Sequence, residues 1–421
     1  MNKNLLIIGY TWPEPNSTAA GTRMIQLIKL FQEWGYKITV VSAASKTVNS
    51  YDLEEIGIDI FKIEVNNSNF DSLTIKINPA IVLFDRFYTE EQFGWRVAEN
   101  CPNALRILDT EDLHFLRFAR KQALKNKDSI GLNYLVNDLT KRELASIYRC
   151  DLTLIISKFE YNLLLETFKL DQSLLLYIPF LLEKINSSIF NSYPRFKERS
   201  HFMTIGNFRH EPNWNALFYL KNKIWPLIRE ELPQAKIHIY GAYATEKVMQ
   251  LQNKKEGFII KGWAESSEIA FKNARVCLAP LQFGAGLKGK LIDAMLFGTP
   301  SVTTKIGAEA MHGNNPWNGY ITDNYREFAR KSVELYNNKQ NWLKGQNNGV
   351  NIINQCYSKK DFGRAFFDTI QNITENLDEH RLDNFIGAII QHHSLQSTKY
   401  LSKWIEEKNR YFSSPPEFLS S

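Results

Sequence analysis

Between Pro280 and Pro300 the chain reads PLQFGAGLKGKLIDAMLFGTP, the segment whose residue types are best suited to chemistry. The small residues Gly284, Ala285, Gly286 and Gly289, with Leu287 among them, let backbone N–H groups approach a ligand. A helix opening inside that turn would add unpaired donors and a partial positive charge. Lys288 and Lys290 bring two full cations to the same place. Asp293 follows Lys290 by about one helical turn and would face the same crevice, with an acceptor-only carboxylate suited to sugar hydroxyls. A nucleoside diphosphate fits these parts. A plainer reading is also open, in which the glycines only turn a strand into a helix and the lysines are solvated.

Other charged segments sit at the ends of apolar runs. Asp109-Thr110-Glu111-Asp112-Leu113-His114 follows Leu105 to Leu108, at a strand edge that should face a cleft. Asp109 and Glu111 have the form of an acid-x-acid metal pair, Asp112 that of a helix cap, and His114 that of a cap or of a site residue. Asp85 to Glu91 is a second charged strand end, read as a surface loop with internal ion pairs in preference to an acceptor site. Between Arg117 and Arg149, the residues Arg117, Arg120, Lys121, Lys125, Lys127, Lys141, Arg142 and Arg149 outnumber the acids. Solvated helix faces account for that run, with contact to anionic lipid as the alternative. His392 and His393 with Lys399, Trp404 and Lys408 read as a helix docked on the main body rather than a metal or lipid contact. No Gly-x-Ser-x-Gly elbow for a serine nucleophile is present.

These residues need elements to hold them. Short β-branched runs at Leu5–Ile8, Ile38–Val41, Ile58–Ile63, Ile81–Phe84, Leu105–Leu108 and Leu152–Ile156 alternate with helical patterns, which predicts a parallel sheet built from βα units. After a weakly patterned stretch the alternation restarts at Phe202–Ile205, Lys236–Tyr240, Phe258–Lys261, Arg275–Ala279 and Ser301–Thr304. The expected fold class is therefore α/β, two doubly wound Rossmann-like domains facing across a cleft. The expected boundaries are 1–185 for the first Rossmann-like domain, 186–200 for a linker, 201–360 for the second Rossmann-like domain and 361–421 for a helical C-terminal extension. Strands of such sheets present ligands at their carboxyl ends, so the site belongs in the cleft.

A length of 421 residues is two or three times the usual domain, and 23% charged with 44% hydrophobic residues excludes disorder and coiled coil. The net charge of +6 suits anionic ligands but falls short of a nucleic-acid stripe. Four dispersed cysteines form no zinc or disulfide pattern, which fits a reducing cytoplasm. The apolar run at the N-terminus is too short for a signal peptide and reads as a first strand.

The segment Phe283 to Pro300, followed by Thr303-Thr304-Lys305-Ile306-Gly307-Ala308-Glu309, resembles the donor-binding signature of the group 1, family-4-like glycosyltransferases, which have the GT-B fold. Gly206-Asn207-Phe208-Arg209-His210-Glu211-Pro212-Asn213 is similar to the opening of that family's second domain. Asp151 to Ser157 resembles the strand closing its first, and Pro13 to Gly21 sits where the family has its first glycine-rich loop. The departures are specific. Ala285 stands where the family has the first of two glutamates, and Asp293 stands at the second. Asn207 and Asn213 occupy the places of the usual Arg and Lys. A subgroup carries basic residues where Lys288 and Lys290 fall, so charge compensation is expected there, with Arg209 as a third cation.

The resemblance implies retaining transfer of a sugar from a nucleoside diphosphate to an acceptor hydroxyl, with no metal and no other cofactor. It implies that His114 orients the transferred sugar, that Lys288 and Lys290 stabilise the leaving diphosphate, and that Gly21, Arg209, Gly284, Ala285, Gly286, Leu287, Gly289, Asp293 and Glu309 contact the donor. The acceptor would be a glycan, a lipid-linked sugar or a small molecule, met in the cytoplasm or at an anionic inner membrane face. No nucleic-acid partner is expected. Two other readings share the fold: a nucleotide-sugar 2-epimerase, and a noncatalytic partner subunit, the latter suggested by Ala285.

Overall fold

The computed structural model describes residues 3–392 together with residues 397, 400, 401, 404, 405 and 408. Seven strands form the first sheet in the order β3-β2-β1-β4-β5-β6-β7. They are β1 (Asn4–Gly9), β2 (Lys37–Ser42), β3 (Asp59–Lys62), β4 (Ile81–Asp85), β5 (Leu105–Asp109), β6 (Leu152–Ile155) and β7 (Leu175–Tyr177). Six strands form the second, in the order β10-β9-β8-β11-β12-β13. These are β8 (Ser200–Ile205), β9 (Ile237–Tyr240), β10 (Phe258–Gly262), β11 (Ala274–Ala279), β12 (Ser301–Thr303) and β13 (Gly319–Ile321). Pairing is parallel throughout, for example Leu5 with Ile38 and with Ile81. Central strands such as β1, β4, β5, β6 and β11 are buried on two faces, which explains why they read as continuous apolar runs, whereas the edge strand β3 is largely exposed. The two edge strands without a predicted run, β7 and β13, are three residues long, too short for a pattern to stand out.

Strand order reverses between β1 and β4 in the first sheet and between β8 and β11 in the second. The loops after these four strands therefore diverge, and each pair opens a crevice. The helix Ala19–Glu33 starts from the first crevice, capped where Thr18 accepts from the Gly21 N–H at 2.9 Å, and it buries Met24, Leu27, Ile28 and Phe31 on the sheet. The helix Gly289–Leu296 starts from the second, burying Leu291, Ile292, Ala294 and Met295. Gly298, at φ 66°, ends it through a left-handed conformation that favours glycine.

The chain crosses between the domains twice, side by side. Leu182 N–H donates to the Tyr357 carbonyl at 2.8 Å and Lys359 N–H to the Leu182 carbonyl at 3.0 Å, while the Asn354 amide pairs with both backbone groups of Ile185. The second crossing returns the chain to the first domain. There the helix Lys359–Glu375 sets Phe366, Ile370 and Ile373 into one core with Leu5, Ile7 and Phe31. The segment read as a separate extension thus begins as part of the first domain's packing. Beyond it, Arg381 binds both carboxylate oxygens of Asp151 at 2.8 Å and donates to the carbonyls of Pro102 and Ala104. His393 and Lys399 lie outside the described residues. Trp404 is largely exposed, with the Lys408 ammonium 5.0 Å from its ring.

Candidate functional site

The two crevices meet. Gly289, first residue of its helix, lies so close to Ala19 that a Cβ on the glycine would stand 2.8 Å from the alanine Cβ, which brings two helix N-termini together across the cleft. A Cβ on Gly286 would stand 2.8 Å from that of Asp112, and the glycine's φ of 63° is in the left-handed region. Gly286 and Gly289 are therefore required by close approach of the two domains. Leu287 points away from the crevice into an apolar cluster shared by both domains, with Ile156, Phe180 and Met295. Ala285 packs against the first domain's core.

Lys290 extends its ammonium to Asn213 Oδ1 at 2.8 Å and lies 3.0 Å from where a Gly206 Cβ would be. It comes from the second domain's helix to the very loop that carries Asn207 and Asn213. Lys288 is buried and donates to the Gly286 carbonyl at 2.7 Å. Desolvation pushes both ammonium groups down to about 8, the physical signature of cations held where water is scarce. No side chain caps the N-terminus of the Gly289 helix, so its first N–H donors carry no carboxylate of their own. Asp293 is pushed up to about 7 by burial, opposed by a hydrogen bond from Ser267.

Arg209 lies at the cleft rim with its guanidinium 3.8 Å from the centre of the Tyr243 ring, and the Tyr243 hydroxyl reaches Glu14 of the first domain at 2.8 and 2.9 Å. Gly21 is pressed against the backbone of Glu14, leaving no room for a side chain. Glu309 is engaged on both oxygens by Arg120, at 2.8 and 2.7 Å, and the same guanidinium donates to the Gly284 carbonyl at 2.8 Å. Its carboxylate thus clamps the domains together instead of standing free for a sugar.

His114 begins the helix His114–Asn126 and is nine-tenths buried, with Nδ1 3.1 Å from the Asp112 carbonyl oxygen and its ring edge-on to Phe87 and Tyr88. Asp112 does not cap this helix. Its carboxylate pairs with Arg117, while Glu143, from the helix Asp138–Arg149, accepts from the N–H groups of His114 and Phe115. Asp109 does not have the freedom of a metal ligand either. It is fully buried, and Arg23 Nε donates to its two oxygens at 3.0 and 3.1 Å.

Two participants escaped sequence reasoning. Arg120 reads in the sequence as one cation of a basic run, yet it is buried in the clamp just described. Of the eight cations in that run, Arg117, Arg120, Lys121, Lys141, Arg142 and Arg149 all face acidic partners, leaving no continuous basic face. Glu160, one turn after β6, accepts from the Gly286 N–H at 2.6 Å and is pushed up to about 8, first by burial and then by the charge of Asp112. Glu160 follows β6 much as Asp109 to His114 follow β5, so its place beyond a strand's carboxyl end is the signal in the sequence that points to it.

Residues 199–338 match the family model described as "Glycosyl transferases group 1". No curated protein matches the chain in sequence. Among solved structures, sucrose-phosphate synthase from Thermosynechococcus elongatus is similar with a TM-score of 0.65 at 11% identity, covering 89% of this chain and 100% of that one. Anabaena Alr3699/HepE, solved in complex with UDP and glucose, is similar with a TM-score of 0.62 at 12% identity, covering 87% and 99%. The S. aureus TarM G117R mutant, in complex with fondaparinux, alpha-GlcNAc-glycerol and UDP, gives 0.56 at 15% identity. It is covered over 58% of its length by 72% of this chain. Likeness at this level identifies the fold, which is GT-B.

Proposed function

We propose that the protein transfers a sugar from a nucleoside diphosphate to an acceptor hydroxyl. One observation carries the reading: buried Lys288 and half-buried Lys290 flank an uncapped helix N-terminus at the place where the switch points of both sheets meet. The match of residues 199–338 to a group 1 glycosyltransferase model supports it on the same domain.

As the glycosidic bond stretches, negative charge grows on the leaving diphosphate. Lys290, Lys288 and the N–H groups of Leu287 to Gly289 are the preorganised positive ends that would meet it, so the reading assigns charge compensation to the protein and requires no metal. Asp293 would accept from the ribose. His114, whose Nδ1 is held by the Asp112 carbonyl, would offer Nε2 to the sugar. Transfer with retention follows in this reading, with the departing phosphate taking the acceptor proton. Closure of the cleft by the Arg120 clamp and the Glu14–Tyr243 contact excludes water, whose attack is the competing reaction.

The acceptor in this reading is a glycan, a lipid-linked molecule or a small molecule that bears a hydroxyl. An approach to anionic membrane would rest on Lys125 and Lys127 with the exposed apolar side chains Leu382, Phe385, Ile386 and Ile389. Sedimentation with anionic but not neutral vesicles checks that point.

Calorimetry against uridine, guanosine, adenosine and thymidine diphosphate sugars, followed by product analysis with and without acceptors, tests the function. Binding followed by acceptor-dependent release of the diphosphate is expected. Conversion of the sugar without any acceptor would instead favour an epimerase, binding without turnover a noncatalytic partner, and no binding would remove the proposal.

A further inference from the structure

The carboxyl ends of β1, β4 and β5 build a second polar corner beside the diphosphate crevice. The sequence made Asp85 to Glu91 a surface loop with internal ion pairs, and its far end obeys, since Glu90 and Glu91 pair with Arg149 and Arg142. Its near end does not. Asp85 is buried, accepts from the Tyr10 N–H at 3.0 Å and lies 3.5 Å from Arg86. Three buried polar atoms in this corner, Asp85 Oδ1, Glu111 Oε1 and Arg23 Nη2, find no hydrogen-bond partner among the described residues. Orphaned buried polar atoms are costly and rare, and three in one corner indicate a place prepared for hydroxyl groups.

Two further observations are independent of that one. Arg86 and Glu111 both hold left-handed backbone, at φ 69° and 61°, a strain that persists at ligand sites because the surroundings enforce it. Above the polar corner, Tyr10 and Tyr88 stack at 5.4 Å, with Arg86 5.3 Å from the Tyr10 ring and His114 edge-on to Tyr88 at 5.5 Å. Tyr10 is 46% exposed. An exposed tyrosine pair beside unpaired carboxylate oxygens is chemistry that recognises a sugar ring: the ring's C–H groups lie against the exposed aromatic surface, and its hydroxyls donate to the carboxylates. Glu111 links this corner to the donor loop, because its carbonyl lies 3.2 Å from where a Gly286 Cβ would be.

We propose that Tyr10 and Tyr88 with Glu111, Asp85 and Arg86 form an acceptor subsite for a sugar ring, so that the acceptor is itself a glycoside. The inference rests on the transfer reading above and narrows its acceptor. It places Tyr10 and Glu111 in specificity: Tyr10 selects a ring with an apolar face, and Glu111 selects one with a hydroxyl directed at the donor loop.

Ligand-observed saturation-transfer NMR on the full chain tests this, using a panel of methyl glycosides in the presence of whichever nucleoside diphosphate binds best. At least one glycoside should receive saturation at its ring C–H protons. The signal should vanish in Tyr10→Ala, survive in Tyr10→Phe, and weaken several-fold in Glu111→Gln. Because Tyr10 is exposed, its variants should fold, and their unchanged nucleoside diphosphate affinity confirms it. Adding the intact nucleotide sugar should leave the glycoside signal in place. Displacement would mean that the corner holds the donor's own sugar and would overturn the proposal, as would a signal unaffected by Tyr10→Ala or absent for every glycoside. Failure of the transfer reading is seen separately, as a parent protein that binds no nucleoside diphosphate.

Discussion

Lys288 and Lys290 hold their protons less tightly than exposed lysines, because burial penalises the charged form. A diphosphate needs them charged. Below about pH 8 both are protonated, so affinity should be nearly flat; above it the free protein loses cations that the complex keeps, and affinity should fall as pH rises. Lys290→Ala should lower nucleoside diphosphate affinity about ten- to a hundred-fold, the loss of one charge-assisted contact worth roughly 1.5 to 3 kcal/mol. It should also make the fall above pH 8 shallower. Lys290→Arg should retain part of the affinity, since a cation is needed there more than a particular fork. Calorimetric titrations at pH 7, 8 and 9 read both effects, and an affinity equal to the parent's in Lys290→Ala would remove the lysine from the diphosphate.

At the scale of elements, the Gly284–Gly289 loop is held from the opposite domain by Glu160 and Arg120. Gly286→Ala adds a methyl 2.8 Å from the Asp112 Cβ and forces a left-handed alanine, costing roughly 1 to 2 kcal/mol from the backbone alone. The expected result is a lower denaturation midpoint together with weaker nucleotide binding; a midpoint equal to the parent's would show that the loop moves freely. A second element effect lies away from the cleft. His201 on β8 and His238 on β9 stack at 3.9 Å, and burial, first among the causes, pushes them down to about 3 and about 4. The unfolded chain takes up those protons near pH 6.5, before the folded one does. The stability these histidines contribute is therefore complete above about pH 6.5 and declines as pH falls toward 4. His238→Phe keeps a ring in the stack and removes one proton site, so the drop in Tm between pH 7 and pH 5 should be smaller than in the parent.

Over the whole molecule, two chain crossings and the returning tail govern how the domains are held. Arg381 staples the tail to Asp151, whose carboxyl lies below its usual range: burial opposes that shift, and hydrogen bonds from Arg381 with the charge of Arg106 outweigh it. Arg381→Ala should cost about 1 to 3 kcal/mol, less than full isolation of a buried charge, because Arg106 still donates its N–H to Asp151 at 2.8 Å. For a carboxyl with a lowered folded value, the stabilisation is present above about pH 4 and disappears as pH falls further. The difference between parent and variant in urea should therefore narrow in acid. A difference that stays constant from pH 7 to pH 3 would show that Arg381 acts by packing alone.

The strands from β1 to β6 and from β8 to β12 were legible in sequence, because the central ones, buried on both faces, require uninterrupted apolar runs, and glycine and proline punctuate the segments between strands. The turn from Gly284, the helix after Lys288 and the stop at Gly298 were legible for the same reason: neighbours within a few residues determine them. Tertiary structure alone decided where the charged side chains point. Arg120 looked like a surface cation until the second domain, 189 residues later in sequence, brought Glu309 to it. Asp109 looked like a free acid until Arg23 reached it from the first helix, and Lys290 acquired a place beside Gly206 only when β8 and β11 became neighbours. Local sequence sets the conformation of a segment, whereas a charge finds its partner only through the packing of distant segments, and that packing is fixed by the sum of many weak apolar contacts that no single motif records.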